Sequence, residues 1–361
     1  MSGEAKKSLF VSSEHPHVRY NPLVGQWVLV SPNRFKRPWL GQIENYAEEP
    51  VPEFDPENPL CPGVKRGNGE VNPQYTGCFV FNNDYPALME RPREMEISND
   101  PLFQIRPATG VCRVMCFHPK SNLSMGQFNI KEIMKIIEIW IQQTEELGRK
   151  YVWVQIFENR GVIMGCSNPH PHCQIWASAF LPNEPRLKDF FQLEYYKQYG
   201  KPLLLDYVER ELEKKERIVL ENDAWVALVP FWALWPYETM IIPKTHIKRF
   251  TDLDVENPKT KSLAMIIKNL VSTYDNLFKC TFPYSMGWHG APTGKRNIMD
   301  STHWVFHGVY YPPLLRSATI KKFFVGYELL AQGQRDITPE MAAARLRAAI
   351  ESTSTTNNSN K

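Results

Sequence analysis

The sequence predicts an α+β protein in which one antiparallel unit, ordered strand, strand, helix, strand, strand, occurs twice. Three observations carry that reading: two long helices of similar amphipathic pattern, a pair of strand-like runs before each, and another pair after each. The first unit opens with CFVFNNDY and RVMCFHPK, rich in β-formers, the second closing on Pro119-Lys120. In residues 129–148, NIKEIMKIIEIWIQQTEELG, the apolar positions Ile133, Met134, Ile137, Trp140, Ile141 and Leu147 recur at helical spacing. Asn129 caps the start, Glu132 completes a capping box, and Gly148 supplies the stop. VWVQIFEN and PHPHCQIWA then return to extended chain. The second unit repeats the order with AWVALVPFW and ETMIIPKT, closing on Pro243-Lys244, and a helix from Lys259 to Phe278 built on Leu263, Ile266, Ile267, Leu270, Tyr274 and Leu277. FPYSMGW and HWVFHGVYY complete it. Two such runs in tandem read as a diverged duplication, each copy an antiparallel sheet with a packed helix.

The expected organisation is an N-terminal arm over residues 1–16, the first unit over 17–200, the second over 201–350 and a flexible tail over 351–361, where STSTTNNSNK is polar and aperiodic. A chain of 361 residues with 43% hydrophobic content can bury a substantial core. Forty-two basic against 39 acidic residues leave a formal charge of only +3, too little to build the field of a general nucleic-acid binder. The Lys214-Lys215 pair is flanked by Glu213 and Glu216 and reads as a solvated helix face. Seven cysteines without a Cys-x-x-Cys pair do not make a secreted disulfide framework. No stretch reaches the ~18 apolar residues of a membrane span, and the N-terminus lacks a signal-peptide core, so a cytoplasmic protein is expected.

The chemistry concentrates in GCSNPHPHCQIW, Gly165 to Trp176. In extended chain the side chains of His170, His172 and Gln174 share one face. Pro171 cannot donate to a ladder, which suits an edge or strand end open to a ligand. The turn Gly165-Cys166-Ser167-Asn168 offers backbone amides and the Ser167 hydroxyl to an anion. A neutral imidazole beside a phosphate cradle can act as a nucleophile toward phosphorus. A filler pair and a metal site remain open readings for a His-x-His. Across the two copies, His170-Pro171-His172 falls opposite His307-Gly308-Val309, so one copy keeps a histidine pair and the other keeps half of it.

Together with GCSNPHPHCQIWASAFLPNE, the runs FENRG, RYNPLVGQWVLVSPNRFKRPW, FPYSMGWHGAP and YYPPLLRSATIKKFFVGYELLAQGQRD closely resemble the galactose-1-phosphate uridylyltransferase family of the histidine triad superfamily, over residues 17–347. The resemblance implies two tandem histidine-triad-like units. It also implies exchange of a uridylyl group between UDP-glucose and galactose 1-phosphate through a covalent uridylyl-histidine. His172 matches the nucleophile, with Pro171 fixing the backbone so that the His170 carbonyl orients its ring. Ser167 and Gln174 match contacts to the transferring phosphates, and Asn159, Gly165 and Cys166 the same wall. Arg34, Lys36, Arg37 and Gly67 match the nucleotide-binding segments, and Asn83 and Asp84 a ribose and uracil contact. Lys322, Phe323, Val325, Tyr327, Glu328 and Gln334 match residues around the hexose and its phosphate, part of which reach across a dimer interface in the family. A homodimer is therefore implied, with no organic cofactor.

The family's structural metal sites are where the sequence departs. Positions matching the first ligand set read Asn58, Cys61, Ser121 and His170; those matching the second read Lys188, His289, His307 and Val309. Neither is a tetrahedral zinc set, so no tightly held metal is expected, with Asp189 and His303 the nearest replacements. Two other functions share the His-x-His-x-Gln face. A hydrolase or phosphorylase of the same superfamily differs in its acceptor, and KKFFVGYE argues for a sugar-phosphate acceptor. A sensor without turnover would not need His172, Ser167 and Gln174 together.

Overall fold

The computed structural model describes residues 9–38, 50–96, 98–297 and 299–358. β1 (His17–Asn21) and β2 (Gln26–Val30) form a hairpin turned at Gly25, whose φ of 70° lies in the left-handed region. The first unit follows as β3 (Phe79–Asn82), β4 (Gly110–Cys116), α1 (Ile130–Gly148), β5 (Trp153–Arg160) and β6 (His172–Ser178). α2 (Asn183–Tyr199), α3 (Leu203–Lys214) and β7 (Ile218–Glu221) link it to the second. That unit is β8 (Trp225–Leu228), β9 (Thr239–Pro243), α4 (Pro258–Phe278), β10 (Tyr284–His289) and β11 (His307–Tyr311). α5 (Gly326–Leu330), β12 (Gln334–Arg335) and α6 (Pro339–Asn358) close the chain.

Nine strands join in one sheet, in the order β3-β4-β6-β5-β10-β11-β9-β8-β7. Read inward from its edge, the first unit runs β3, β4, β6, β5; the second runs β8, β9, β11, β10 with β7 added outside. The duplication read from sequence is thus a mirrored strand order. The units meet at an antiparallel β5/β10 pair, from Arg160 opposite Tyr284 to Ile156 opposite Trp288. β12 lies parallel to β2 in a separate sheet ordered β1-β2-β12.

The sheet's two faces differ. One is covered by helices: the stripe Ile133, Ile136, Ile137 and Trp140 of α1, and Leu263, Ile266, Ile267, Leu270 and Tyr274 of α4, pack with Leu346 of α6 on Cys173, Ile175 and Ala177 of β6 and Trp288 of β10. Each fully buried large side chain contributes about 1.5–3 kcal/mol of transfer free energy. The Asn129–Glu132 capping box forms, with reciprocal bonds of 3.1 and 2.7 Å. On the other face the second unit is sealed, because Leu203, Leu204 and Val208 of α3 pack on Val226, Leu228, Met240, Ile242 and Val309. Over the first unit, among the described residues, a small cluster of Leu60 and Tyr75 on Phe79, Phe81, Val114 and Cys116 covers the sheet.

Two elements differ from expectation. The extended run PHPHCQIWA enters the ladder only at His172, since Pro171 has no N–H to give it. The polar stretch expected as a tail from residue 351 instead continues α6 through Asn358, propagated from the Ala-rich AAARLRAAI; residues 359–361 and 1–8 lie outside the described residues.

Candidate active site

Register fixes what β6 presents. Cys173, Ile175 and Ala177 face the helices, so His172 and Gln174 face the other side, opposite Cys116 and Val114 of β4. There a cavity of about 950 Å³ opens, lined by Asn159 of β5, Cys166 and Ser167 of the turn, and His170, Pro171 and His172. The His172 Nδ1–H donates to the carbonyl of His170 at 2.7 Å. That bond fixes the tautomer and leaves Nε2 unprotonated. Burial pushes the ring below its ordinary pKa, against the opposing pull of the His170 carbonyl. A neutral, oriented imidazole at a cavity wall is a nucleophile ready for an electrophile.

The other site residues around it fall into place unequally. Gln174 accepts from Trp176 Nε1 at 2.9 Å, which turns its amide oxygen away and leaves its NH₂ to donate elsewhere. Asn159 Oδ1 accepts from Ser285 Oγ at 2.7 Å, with the same consequence. Ser167 is exposed on the cavity lining. The amides of Gly165 and Cys166, expected to face an anion, are instead spent inside the turn on Val162 O at 3.0 Å and Gly161 O at 3.3 Å. Gly165 adopts a φ of 78°, and that left-handed step is what swings the chain toward Ser167. The His170 side chain is buried beneath the cavity wall that His172 faces. Its ring is 1% exposed, and burial pushes its pKa down to about 4.

A hydrogen-bond network holds His170, built from Ser121 and Asn58, which the resemblance matched to the first metal site, and from Tyr75, which sequence reading missed. Ser121 Oγ–H donates to its Nδ1 at 2.9 Å, its Nε2–H donates to Tyr75 at 3.0 Å, and Tyr75 donates on to Leu60 O at 2.5 Å. Upstream, the His170 amide donates to Asn168 Oδ1 at 2.9 Å, and Asn168 and Asn58 exchange amide bonds at 2.7 and 2.9 Å. The Asn-Pro pair at 168–169 is the one local signal of this pinning, as a turn initiator.

Asn83 and Asp84 follow β3 directly, and register places Asn83 on the face of Phe81, Val114 and Gln174. Asn83 caps Tyr85 N at 2.9 Å, Asp84 pairs with Arg66 at 3.0 Å, and Gly67 backs onto the Tyr85 hydroxyl, which a Cβ there would meet at 3.1 Å. A separate group gathers around β12. Arg34 and Gln334 both donate to Asp336 Oδ1, at 3.0 and 2.6 Å, and Arg316 bonds the carbonyls of Arg34 and Arg37 at 3.0 and 2.5 Å. Lys36 follows in the same turn. Lys322 pairs with Glu328 at 2.8 Å, Phe323 meets the Trp235 ring, and Val325 and Tyr327 are exposed. Neither this second group nor Gly67, Asn83, Asp84 and Gln174 lines the His172 cavity itself.

The two positions that would hold metal do not fit one. At the first, Cys61 Sγ lies 3.2 Å from Ser121 Oγ and 3.8 Å from His170 Nδ1, and Asn58 is engaged with Asn168. At the second, Lys188 Nζ donates to His289 Nδ1 at 2.7 Å and to His307 Nε2 at 3.1 Å. Burial lowers the Lys188 ammonium to about 8 and pushes both imidazoles well below their usual range. Asp189 and His303, the candidate replacements, are tied to each other at 2.9 Å. Among the described residues no three His, Cys, Asp or Glu side chains converge as a metal requires.

Comparison with known proteins gives matches along the chain. Residues 8–182 match the N-terminal domain of galactose-1-phosphate uridyl transferase, and residues 188–358 its C-terminal domain. A probable galactose-1-phosphate uridylyltransferase of Drosophila melanogaster is 59% identical over 339 residues, 94% of this chain and 96% of its own. The galactose-1-phosphate uridylyltransferase of Rattus norvegicus is 53% identical over 348 residues, 96% of this chain and 91% of its own. Among solved structures, a uridylyltransferase superposes with a TM-score of 0.73 at 26% identity, covering 94% of this chain and 99% of that one.

Proposed function

The chain belongs to the galactose-1-phosphate uridylyltransferase family, and from that premise we propose how its residues divide the reaction. The enzyme is a transferase that exchanges a uridylyl group between UDP-glucose and galactose 1-phosphate. His172 Nε2 attacks the α-phosphorus of UDP-glucose; a P–N bond forms, the bond from that phosphorus to the bridging oxygen breaks, and glucose 1-phosphate leaves. A phosphate oxygen of galactose 1-phosphate then attacks the same phosphorus, the P–N bond breaks, and UDP-galactose departs with His172 regenerated. The leaving groups are stable phosphate anions, so no strong general acid is needed.

One observation carries this assignment: the 2.7 Å bond from His172 Nδ1–H to the His170 carbonyl, which leaves Nε2 as the free nitrogen at the wall of a 950 Å³ cavity. Ser167, Asn159 and Gln174 supply the neighbouring donors to phosphate oxygens, and Gly67, Asn83 and Asp84 take the nucleoside. The working unit is a homodimer. The group Arg34, Lys36, Arg37, Lys322, Phe323, Val325, Tyr327, Glu328 and Gln334 stands outside the chain's own cavity, and Tyr327, Leu329 and Leu330 expose apolar surface beside it, which supports a role toward a second copy. No helix among the described residues is long and apolar enough to cross a membrane. All seven cysteines are unbridged, which supports a reducing cytoplasm. Mass spectrometry of the protein mixed with UDP-glucose tests the covalent step. A uridylyl adduct on the peptide containing His172 is expected, and UDP-galactose formed with no adduct at any stage would refute it.

A further inference from the structure

Lys188, His289 and His307 form a buried cluster in the second unit that no step above uses. His289 ends β10 and His307 begins β11, directly opposite each other in register, with ring centroids 5.4 Å apart. Lys188 enters from α2, the helix that lies between the two units in the chain. It is 4% exposed and His307 0%. The His307 Nδ1–H is spent on the Val305 carbonyl at 2.8 Å, so its Nε2 is an acceptor, and the lysine answers it. Val309, two residues on, belongs to the apolar cluster of Leu203, Val226 and Met240 and adds no polar group.

We propose that the Lys188 ammonium is a built-in cation, doing at the junction of α2 with β10 and β11 what a coordinated metal ion would do. The geometry is that of hydrogen bonding: acceptors stand 2.7 and 3.1 Å from Nζ, against ~2.0–2.1 Å for zinc to imidazole nitrogen. An ammonium needs no carboxylate ligand where its bonds end on neutral imidazoles, and a third imidazole at position 309 would put a polar ring among Leu203, Val226 and Met240. The lysine and the valine are therefore one coupled exchange, a metal cage turned into an ammonium clasp. The inference is independent of the chemistry at His172.

Three proteins test it. The purified wild type should contain well under one equivalent of metal, and its Tm should be unmoved by chelator or added zinc. Lys188→Met keeps the length and removes the donor, leaving two buried imidazole acceptors unanswered, and should lower Tm by roughly 5–10 °C in a way that zinc does not repair. Lys188→Glu with Val309→His should bind about one equivalent of zinc, and its Tm should rise with zinc and fall with chelator. A stoichiometric, chelator-sensitive metal in the wild type overturns the proposal. So does Lys188→Met with unchanged Tm, or a folded double variant that takes up no zinc. Should the double variant not fold, the wild-type metal content and Lys188→Met decide between the same two answers.

Discussion

β6 and β11 occupy equivalent places in the two units. His172 stands opposite Cys116 and Val309 opposite Met240, and each of those partners lies three residues before a Pro-Lys pair. Both strands carry a histidine whose Nδ1–H is locked on a carbonyl two residues back, His172 on His170 and His307 on Val305. What differs is the place of that ring. In the first unit the face beyond His172 is open and the locked ring looks into a cavity; in the second α2 and α3 close the face, and the ring ends on Lys188. The same device is thus a nucleophile where solvent and substrate reach it and a structural acceptor where they do not. Cover, more than the residue, sets the role.

The largest effect that would break this comparison is at His172 itself. His172→Ala should lower turnover by roughly 10⁴-fold or more and abolish the uridylyl adduct. Adding Val309→His should restore neither, because that position faces Leu203 and Val226. An adduct on the second unit would mean that cover does not decide. Next comes Gln174→Ala, which removes one donor to the transferring phosphate and should cost about 10²–10³-fold in kcat at little change in stability. Turnover at the wild-type rate would take Gln174 out of the reaction. A smaller effect sharpens the support beneath His172. Ser121→Ala strips the donor from buried His170 Nδ1 and should destabilise the fold by about 1–3 kcal/mol in urea titration, with a much smaller loss of turnover than at Gln174. The subtlest is pH. Burial depresses His172, so its neutral nucleophilic form persists below the ordinary value of ~6.5; the acid limb of kcat/KM should fall on the acid side of that value, and a limb above it would contradict the buried ring.

Both long helices, the four strands around each and their repeated order were legible in sequence, because their signals are local: apolar stripes, a capping box and Pro-Lys ends. α2 was not, since FFQLEYYKQY spreads aromatic residues round the helix and leaves no stripe to read. β12 is two residues long and pairs with β2 some three hundred residues away. At the site, His172, Ser167, Gln174 and Asn159 lie within one contiguous stretch and could be named. Asn58 and Ser121 were set beside His170 only through the resemblance, and Tyr75 not at all, since each meets the Asn168–His170 segment from 49 to 110 residues away. The expected freedom of the Gly165 and Cys166 amides failed for a local reason, a three-residue turn that the motif does not announce.

The join between β5 and β10 has a consequence for how such a molecule can change. Its ladder hydrogen bonds run from main chain to main chain, and main-chain groups are the same whatever side chains they carry. That ladder does not depend on side chains away from the join, while side chains at the join, such as Ser285 on Asn159, add to it. Each half of the sheet can therefore replace the side chains of its outer face, one toward reaction and the other toward stability, without the halves parting.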